Sequence, residues 1–314
     1  MAGAKYKTVT RTQGNNAALK DGTVTPASFE FDIEEVDPLI RAFRTMVREL
    51  NYDICEMALT TYICARAHGV RFTALPIFLV RAFHHGAFRV NSKAGIGVPK
   101  DLEGRKVGVN RGYTVTTGVW ARGVLQNEYD VDLSKITWVL SGDEHVSQYR
   151  PPANVVPIEA GKDMGDMLAS GELAAAIGID VDHPDVAPLI PNALEAGLAA
   201  LRKRGHYPIN HLVVVRDDLL AEHPEIATET FEAFAEAKRL YVEKLKAGGI
   251  ENPSKADEVH RLVMEITGDP LPYGIAPNRQ VLEELIGHAV AQKIIAVPVA
   301  VDDLFAPGTL ALTG

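Results

Sequence analysis

Near neutral pH the side chain best suited to taking up and releasing a proton is histidine. Of the 10 histidines in the chain, His84, His85 and His211 stand near candidate cations and carboxylates. His84 and His85 follow Arg81 closely, in a stretch that reads as extended. Neighbouring strand residues point to opposite faces, so only one of these two rings can face a ligand, with His84 the first choice. His211 closes YPINH at 207–211, where it could move a proton or simply hydrogen-bond to backbone. Glu56 follows a strand and stands near a helix start; it could act as a base, orient a histidine or cap the helix. Arg81 could grip a carboxylate with its planar fork, or form an ion pair with Glu56.

Arg111 lies in a strand-to-helix loop, NRGY at 110–113. The helix beyond it offers free amides, and Tyr113, Thr114, Thr116 and Thr117 add hydroxyls, which together make an anion site. The alternative is a helix merely capped by threonine. Asp180, Asp182 and His183 could hold a divalent ion with His84 or His85, or form a polar turn. Tyr273, in PYG at 272–274, could hydrogen-bond a ligand or pack. Trp120 and Trp138 read as core. The sequence carries no nucleophile–base signature on Ser or Cys, no phosphate loop and no dinucleotide glycine pattern. Nothing in it requires a cofactor, and a divalent metal is left open.

These residues need elements to hold them. Alternation and apolar runs predict strands at 5–11, 28–33, 52–57, 73–80, 83–90, 106–109, 135–140, 154–158 and 173–179, and again through 212–215. Helical spacing predicts helices ending near 50, over 58–67, 114–128 and 162–169, then a long one after His223-Pro224, and two more at 254–266 and 277–292. Alternating strands and helices imply an α/β protein with mostly parallel sheets flanked by helices. At 314 residues the chain is long for one core. Two lobes are expected: 1–90 plus 212–314 as the first, with 91–211 inserted as the second. Ligands of such sheets sit at the carboxyl ends of strands, here between the lobes.

Composition narrows the partners. Hydrophobic residues make up 46% and charged residues 23%, a globular profile. A net charge of -9 and a pI near 5.6 disfavour nucleic acid and anionic membranes. The start of the chain lacks the apolar core of a secretory signal, and no apolar run is long enough to span a bilayer. Cys55 and Cys64 fall in one apolar segment and read as buried thiols in a reducing compartment. A cytoplasmic protein is expected, with the oligomeric state open.

Taken together, the stretches YDICEMALTTY at 52–62, LPIFLVRAFHH at 75–85, DLEGRKVGV at 101–109, VWARGVLQNEY at 119–129, YPINH at 207–211, PYGIAPNR at 272–279 and DLFAP at 303–307 resemble the 4,5-dihydroxyphthalate decarboxylase branch of the type II periplasmic-binding-protein fold. The resemblance implies that a small aromatic carboxylate loses carbon dioxide as a proton reaches the ring carbon that bears it. His84, His85, His211 and Glu56 would do the proton chemistry. Arg81, Arg111, Tyr113, Thr114, Thr116, Thr117, Asp180 and Tyr273 would hold the substrate. Two cleft positions depart from the family: NRGY replaces a proline–acidic–aromatic run after Val109, and DVDH at 180–183 stands where a basic residue is expected. The fold also hosts solute-binding proteins that feed ABC transporters, which is the competing reading. A thiamine-pyrimidine synthase relative would need an iron site rich in cysteine and histidine, which two cysteines do not supply.

Overall fold

Strands buried on both faces belong at the centre of a sheet covered by helices, and the segment ICEMA, buried at all five positions although it carries Glu56, is one. The computed structural model describes residues 3–205 and 207–314. The chain opens with β1 (Ala4–Val9), α1 (Ala17–Lys20), β2 (Phe29–Ile33), α2 (Ile40–Glu49), β3 (Ile54–Ala58), α3 (Leu59–Ala67) and β4 (Phe72–Arg81). Next come β5 (Phe88–Asn91), β6 (Lys106–Val109), α4 (Thr116–Tyr129), β7 (Thr137–Leu140), β8 (Val155–Pro157), α5 (Met164–Ala169), β9 (Ala175–Ile177), β10 (Val186–Pro188) and α6 (Ala193–Arg204). It ends with β11 (Ile209–Arg216), α7 (Asp217–Glu222), α8 (Glu225–Lys246), α9 (Lys255–Thr267) and α10 (Arg279–Ala291).

The chain divides into two units. Unit one comprises Met1–Ala82, Arg204–Glu284 and Val299–Gly314; unit two comprises Phe83–Lys203 and Leu285–Pro298. The sheet of unit one has the order β2-β1-β3-β11-β4. Its first three strands run parallel, and β11 inserts antiparallel to both β3 and β4. The ladder between β11 and β4 shifts register on either side of His211, an irregularity of the kind that re-aims side chains. Helices pack on this sheet: α2 buries Ala42, Phe43, Met46 and Val47, and α8 buries Phe231, Phe234 and Ala237.

The sheet of unit two has the order β10-β5-β9-β6-β7-β8. The arm β9-β6-β7-β8 is parallel, whereas β5 pairs antiparallel with both β9 and β10. Val139, Met164, Met167, Leu168, Leu173 and Ala176 form a core cluster. Gly108 is required there, because a Cβ would lie 2.9 Å from the Met164 sulfur and 3.0 Å from Leu173.

The two units differ from the lobes expected from sequence in three segments. Residues 83–90 join unit two and residues 204–211 join unit one. The segment Leu285–Pro298, expected in the first lobe, packs with unit two. Side chains explain this: Gln292 accepts from Arg122 Nε at 2.8 Å and donates to the Val119 carbonyl at 2.9 Å. The His288 ring meets Trp120 edge-on at 5.4 Å and fills the notch that Gly123 leaves. A Cβ at Gly123 would lie 2.4 Å from His288 Nε2. Gly123→Ala is therefore expected to destabilise by about 1–3 kcal/mol in urea unfolding, and His288→Ala in the same chain to relieve most of that loss. Wild-type stability for Gly123→Ala would remove this packing from the account.

Candidate functional site

In unit one a buried carboxylate holds a histidine. Glu56, in the middle of β3, has no exposed surface. The register sets His211 of β11 opposite Ala58, two residues along and therefore on the same face as Glu56. His211 Nδ1 lies 2.6 Å from Glu56 Oε1, and Glu56 Oε2 accepts the Arg11 backbone N–H at 2.9 Å. The Phe43 ring closes on the imidazole edge-on at 5.1 Å. A carboxylate beside Nδ1 favours the tautomer that carries its proton there. The His211 side chain keeps 19% of its surface while Glu56 keeps none, so of the two the ring is the group solvent or a ligand can reach. Of the sequence alternatives, Glu56 orients a histidine, and His211 bonds a carboxylate instead of backbone.

Arg81 and Tyr273, both expected to touch a ligand, are buried in unit one. Arg81 ends β4 and donates to the Tyr207 carbonyl at 2.7 Å, the Pro272 carbonyl at 2.8 Å and Asn278 Oδ1 at 2.6 Å. Among the described residues no ion pair joins it to Glu56, whose carboxylate meets the Arg11 amide and His211 instead. Desolvation pulls the Arg81 guanidinium down to about 10. The fork ties together three chain segments far apart in sequence. Tyr273 is fully buried, with its hydroxyl accepting from Asn15 Nδ2 at 3.3 Å and the Lys238 ammonium 5.5 Å from its ring; burial pushes its phenol well up.

Unit two holds a cavity of about 150 Å³ at the carboxyl ends of β6 and β9, lined by Asn110, Arg111, Thr117, Gly118 and Gly178 among others. Here α4 begins, giving the cavity the positive end of a helix. Arg111 adopts a left-handed backbone, φ 70°, and its N–H donates to Ser141 Oγ at 2.7 Å. Asn110 donates to the Gly178 carbonyl at 2.7 Å, joining the two loops.

Tyr113 and Thr114 do not offer free amides. Both backbone N–H groups donate to the Glu144 carboxylate, as does Thr114 Oγ1 at 2.7 Å. The chain's own carboxylate fills the nest expected for an external anion. Thr114 and Thr116 are buried, and Thr116 does not line the cavity. The Tyr113 ring packs against the Arg122 guanidinium at 3.8 Å. Of the five loop residues proposed from sequence, Arg111 and Thr117 line the cavity.

His84 and His85 are not in a strand. His84 has φ −110° and ψ 3° and precedes a single 3₁₀ turn, His85–Ala87; such dihedrals lie outside the extended region. Alternation of faces therefore does not apply, and both rings are buried. His84 stacks on Trp120 at 6.2 Å, and His85 Nε2 meets Glu128 Oε2 at 2.9 Å. Asp180 is 89% exposed and pairs with Arg89 at 3.1 Å, away from the cavity lining. His183 accepts the Asp185 N–H at 3.2 Å within its turn. Among the described residues no group of three or more His, Cys, Asp or Glu side chains is arranged to hold a metal ion, so the Asp180–His183 turn and the 84–85 pair do not assemble into such a site.

Sequence reasoning passed over Ser141, Glu144 and Arg122. The first two follow β7 at its carboxyl end, where the strand-end rule could have directed attention. Arg122 is a lone charge in the apolar run VWARGVL and is fully buried, with its Nη2 donating to the Tyr113 carbonyl at 2.6 Å.

A second imidazole network lies in unit one. The Tyr241 hydroxyl lies 2.6 Å from Asp257 Oδ1 and 2.8 Å from His260 Nδ1. Desolvation lowers His260 from 6.5 to about 4, against the opposing pull of Asp257.

Comparison with known proteins gives a family and a fold. No family model matches the chain. It is 31% identical over 304 residues to the 4,5-dihydroxyphthalate decarboxylase of Comamonas testosteroni, covering 91% of this chain and 90% of that protein. A protein of the same name from Pseudomonas putida is 34% identical over 163 residues, 48% of this chain and 63% of that one. Among solved structures, the periplasmic aliphatic sulphonate binding protein SsuA of Escherichia coli superposes with a TM-score of 0.53 at 10% identity, over 97% of this chain and 92% of that one. The desulfurization enzyme DSZB gives 0.52 at 15% identity, over 96% of each chain. These two likenesses are of fold alone, that of the periplasmic-binding proteins. Among the described residues no helix is long and apolar enough to cross a membrane.

Two outcomes follow for unit one. Arg81→Ala would remove the donor from two buried acceptors, the Tyr207 carbonyl and Asn278 Oδ1, and is expected to cost about 3–5 kcal/mol in chemical denaturation. A stability loss under about 1 kcal/mol accompanied by weaker ligand binding would instead make Arg81 a binding group. For His260 the folded chain resists a proton that the unfolded chain accepts between pH 6.5 and about 4. Stability is complete above that window and falls through it as pH drops, by up to about 3 kcal/mol. His260→Gln should flatten this part of the profile measured by urea unfolding; an unchanged slope would exclude His260 as its source.

Proposed function

Since the chain belongs to the 4,5-dihydroxyphthalate decarboxylase family and is a carboxy-lyase, we propose that its substrate is a small hydroxylated aromatic acid, 4,5-dihydroxyphthalate or a close relative. The observation that carries the reading is the Glu56–His211 pair, with Oε1 and Nδ1 2.6 Å apart. Decarboxylation of such a ring exchanges a carbon–carboxylate bond for a carbon–hydrogen bond. A ring hydroxyl pushes electron density toward the carbon that bears the carboxylate, and that carbon takes a proton from His211 Nε2. The carbon–carboxylate bond then breaks, its electron pair returns to the ring, and carbon dioxide leaves. One proton is consumed for each carbon dioxide released. Glu56 stabilises the imidazolium that donates and fixes the tautomer that remains.

Proton delivery of this kind is typically worth about 10²- to 10⁴-fold, and orientation and fixed dipoles must supply much of the rest. Arg111 at the unit-two cavity, beside the positive end of α4, supports carboxylate binding. The proposed chemistry needs no organic cofactor. The likeness to SsuA favours a second reading, a solute-binding protein for a small anion feeding an ABC transporter. The likeness to the enzyme DSZB is of the same size, so the fold does not choose between them. The oriented imidazole of His211 supports the enzymatic reading, because decarboxylation needs a positioned proton donor.

His211→Asn is expected to lower kcat for 4,5-dihydroxyphthalate by about 10²- to 10⁴-fold while dissociation constants change only a few-fold. Turnover is followed by the appearance of 3,4-dihydroxybenzoate. Full turnover by His211→Asn would displace His211 as donor; a wild-type chain that binds but never converts would favour the transport reading.

A further inference from the structure

The loop before α4 is held by an internal anion. Glu144 accepts from the Tyr113 and Thr114 backbone amides and from Thr114 Oγ1, three donors converging on one carboxylate. Gly112 is shaped to it: a Cβ there would fall 2.6 Å from Glu144 Oε2 and 2.8 Å from its Cδ. Arg111 sits between this contact and the cavity with φ 70°, a left-handed backbone that costs a residue with a Cβ of the order of 1–2 kcal/mol. It persists because the segment after β7 grips it twice. The Arg111 N–H donates to Ser141 Oγ at 2.7 Å, and Gly142 packs so closely that a Cβ there would lie 3.4 Å from Arg111 Cα. Beneath the loop the fully buried Arg122 donates to the Tyr113 carbonyl at 2.6 Å and to Gln292 at 2.8 Å. Glu144 supplies negative charge nearby.

We propose that Glu144 is a positioning residue: an internal carboxylate ligand that orders the 110–114 loop and thereby sets Arg111 and the first turn of α4 to receive an external carboxylate. The proposal deepens the anion-binding part of the proposed function and rests on it for the identity of the external ligand. Its own content is a carboxylate-shaped cradle that Glu144 occupies. Glu144→Ala would empty the cradle without removing its donors, so a small free carboxylate can refill it. Glu144→Gln keeps the shape but sets an NH₂ against N–H and O–H donors and leaves no vacancy.

The first measurement is thermal unfolding of the full chain in formate, with chloride at matched ionic strength as control. Glu144→Ala should melt at least about 5 °C below wild type and regain more than half of that loss as formate rises to tens of millimolar. Wild type and Glu144→Gln should show no saturable response to formate. The second is calorimetric titration with 4,5-dihydroxyphthalate: Glu144→Ala and Glu144→Gln should bind more than tenfold more weakly, formate should restore the former only, and Glu144→Asp should fall between. Where turnover is measurable, KM should rise by more than kcat falls. A Glu144→Ala melt that formate leaves unmoved overturns the proposal. If that variant does not fold, wild-type affinity in Glu144→Gln does so. Formate rescue of the melt with no turnover by wild type would sink the enzymatic reading and leave this one standing.

Discussion

A carboxylate removed from water is unfavourable unless charge and hydrogen bonds inside the protein answer it, and the centre of unit one is organised around that constraint. Glu56 lies in a strand buried along its whole length, with each oxygen met by a single donor, the Arg11 amide on one side and His211 on the other. That pairing exists only because β11 inserts antiparallel between β3 and β4. A slip of one residue in that pairing would turn the imidazole to the other face. The irregular ladder around His211 lies where the ring must reach its partner.

Unit two meets the same constraint with different chemistry. A guanidinium, Arg122, is buried under an aromatic ring and two oxygen acceptors, and a carboxylate, Glu144, sits in backbone and hydroxyl donors at the start of α4. The left-handed Arg111 stands between them and the cavity. The strain of that residue and the grip of the segment after β7 belong together, since an unfavourable backbone state persists only when its surroundings fix it.

The fold by itself is neutral about chemistry: sulphonate-binding proteins and a desulfurization enzyme share it with this chain at similar TM-scores. What separates catalysis from capture is whether a titratable group is oriented and kept accessible. Arg81 shows how residue type alone can mislead. Its fork has the right shape for a carboxylate, yet the structure commits it to two carbonyls and an amide oxygen. Among the described residues Glu56 makes the corresponding commitment to a ring that still reaches solvent.

The sequence by itself determined the α/β character, the positions of most strands and helices and the membership in a decarboxylase family, and it singled out Glu56, His211 and Arg111 as candidates. Those features are written in local periodicity, in glycines and prolines at element ends, and in runs of family wording. It did not determine which side chains meet. Glu56 and His211 are 155 residues apart, and Arg122 and Gln292 are 170 apart. Glu144 reaches Tyr113 and Thr114 across a crossover connection. The mistaken strand at 83–90 has the same origin, because FHHGAF reads as extended locally and only the pairing of β5 with β9 and β10 fixes the strand start at Phe88. Periodicity encodes whether a residue faces a core. Which buried donor meets which buried acceptor is decided when distant segments pair, because that is when unpaired polar groups lose water and must find one another.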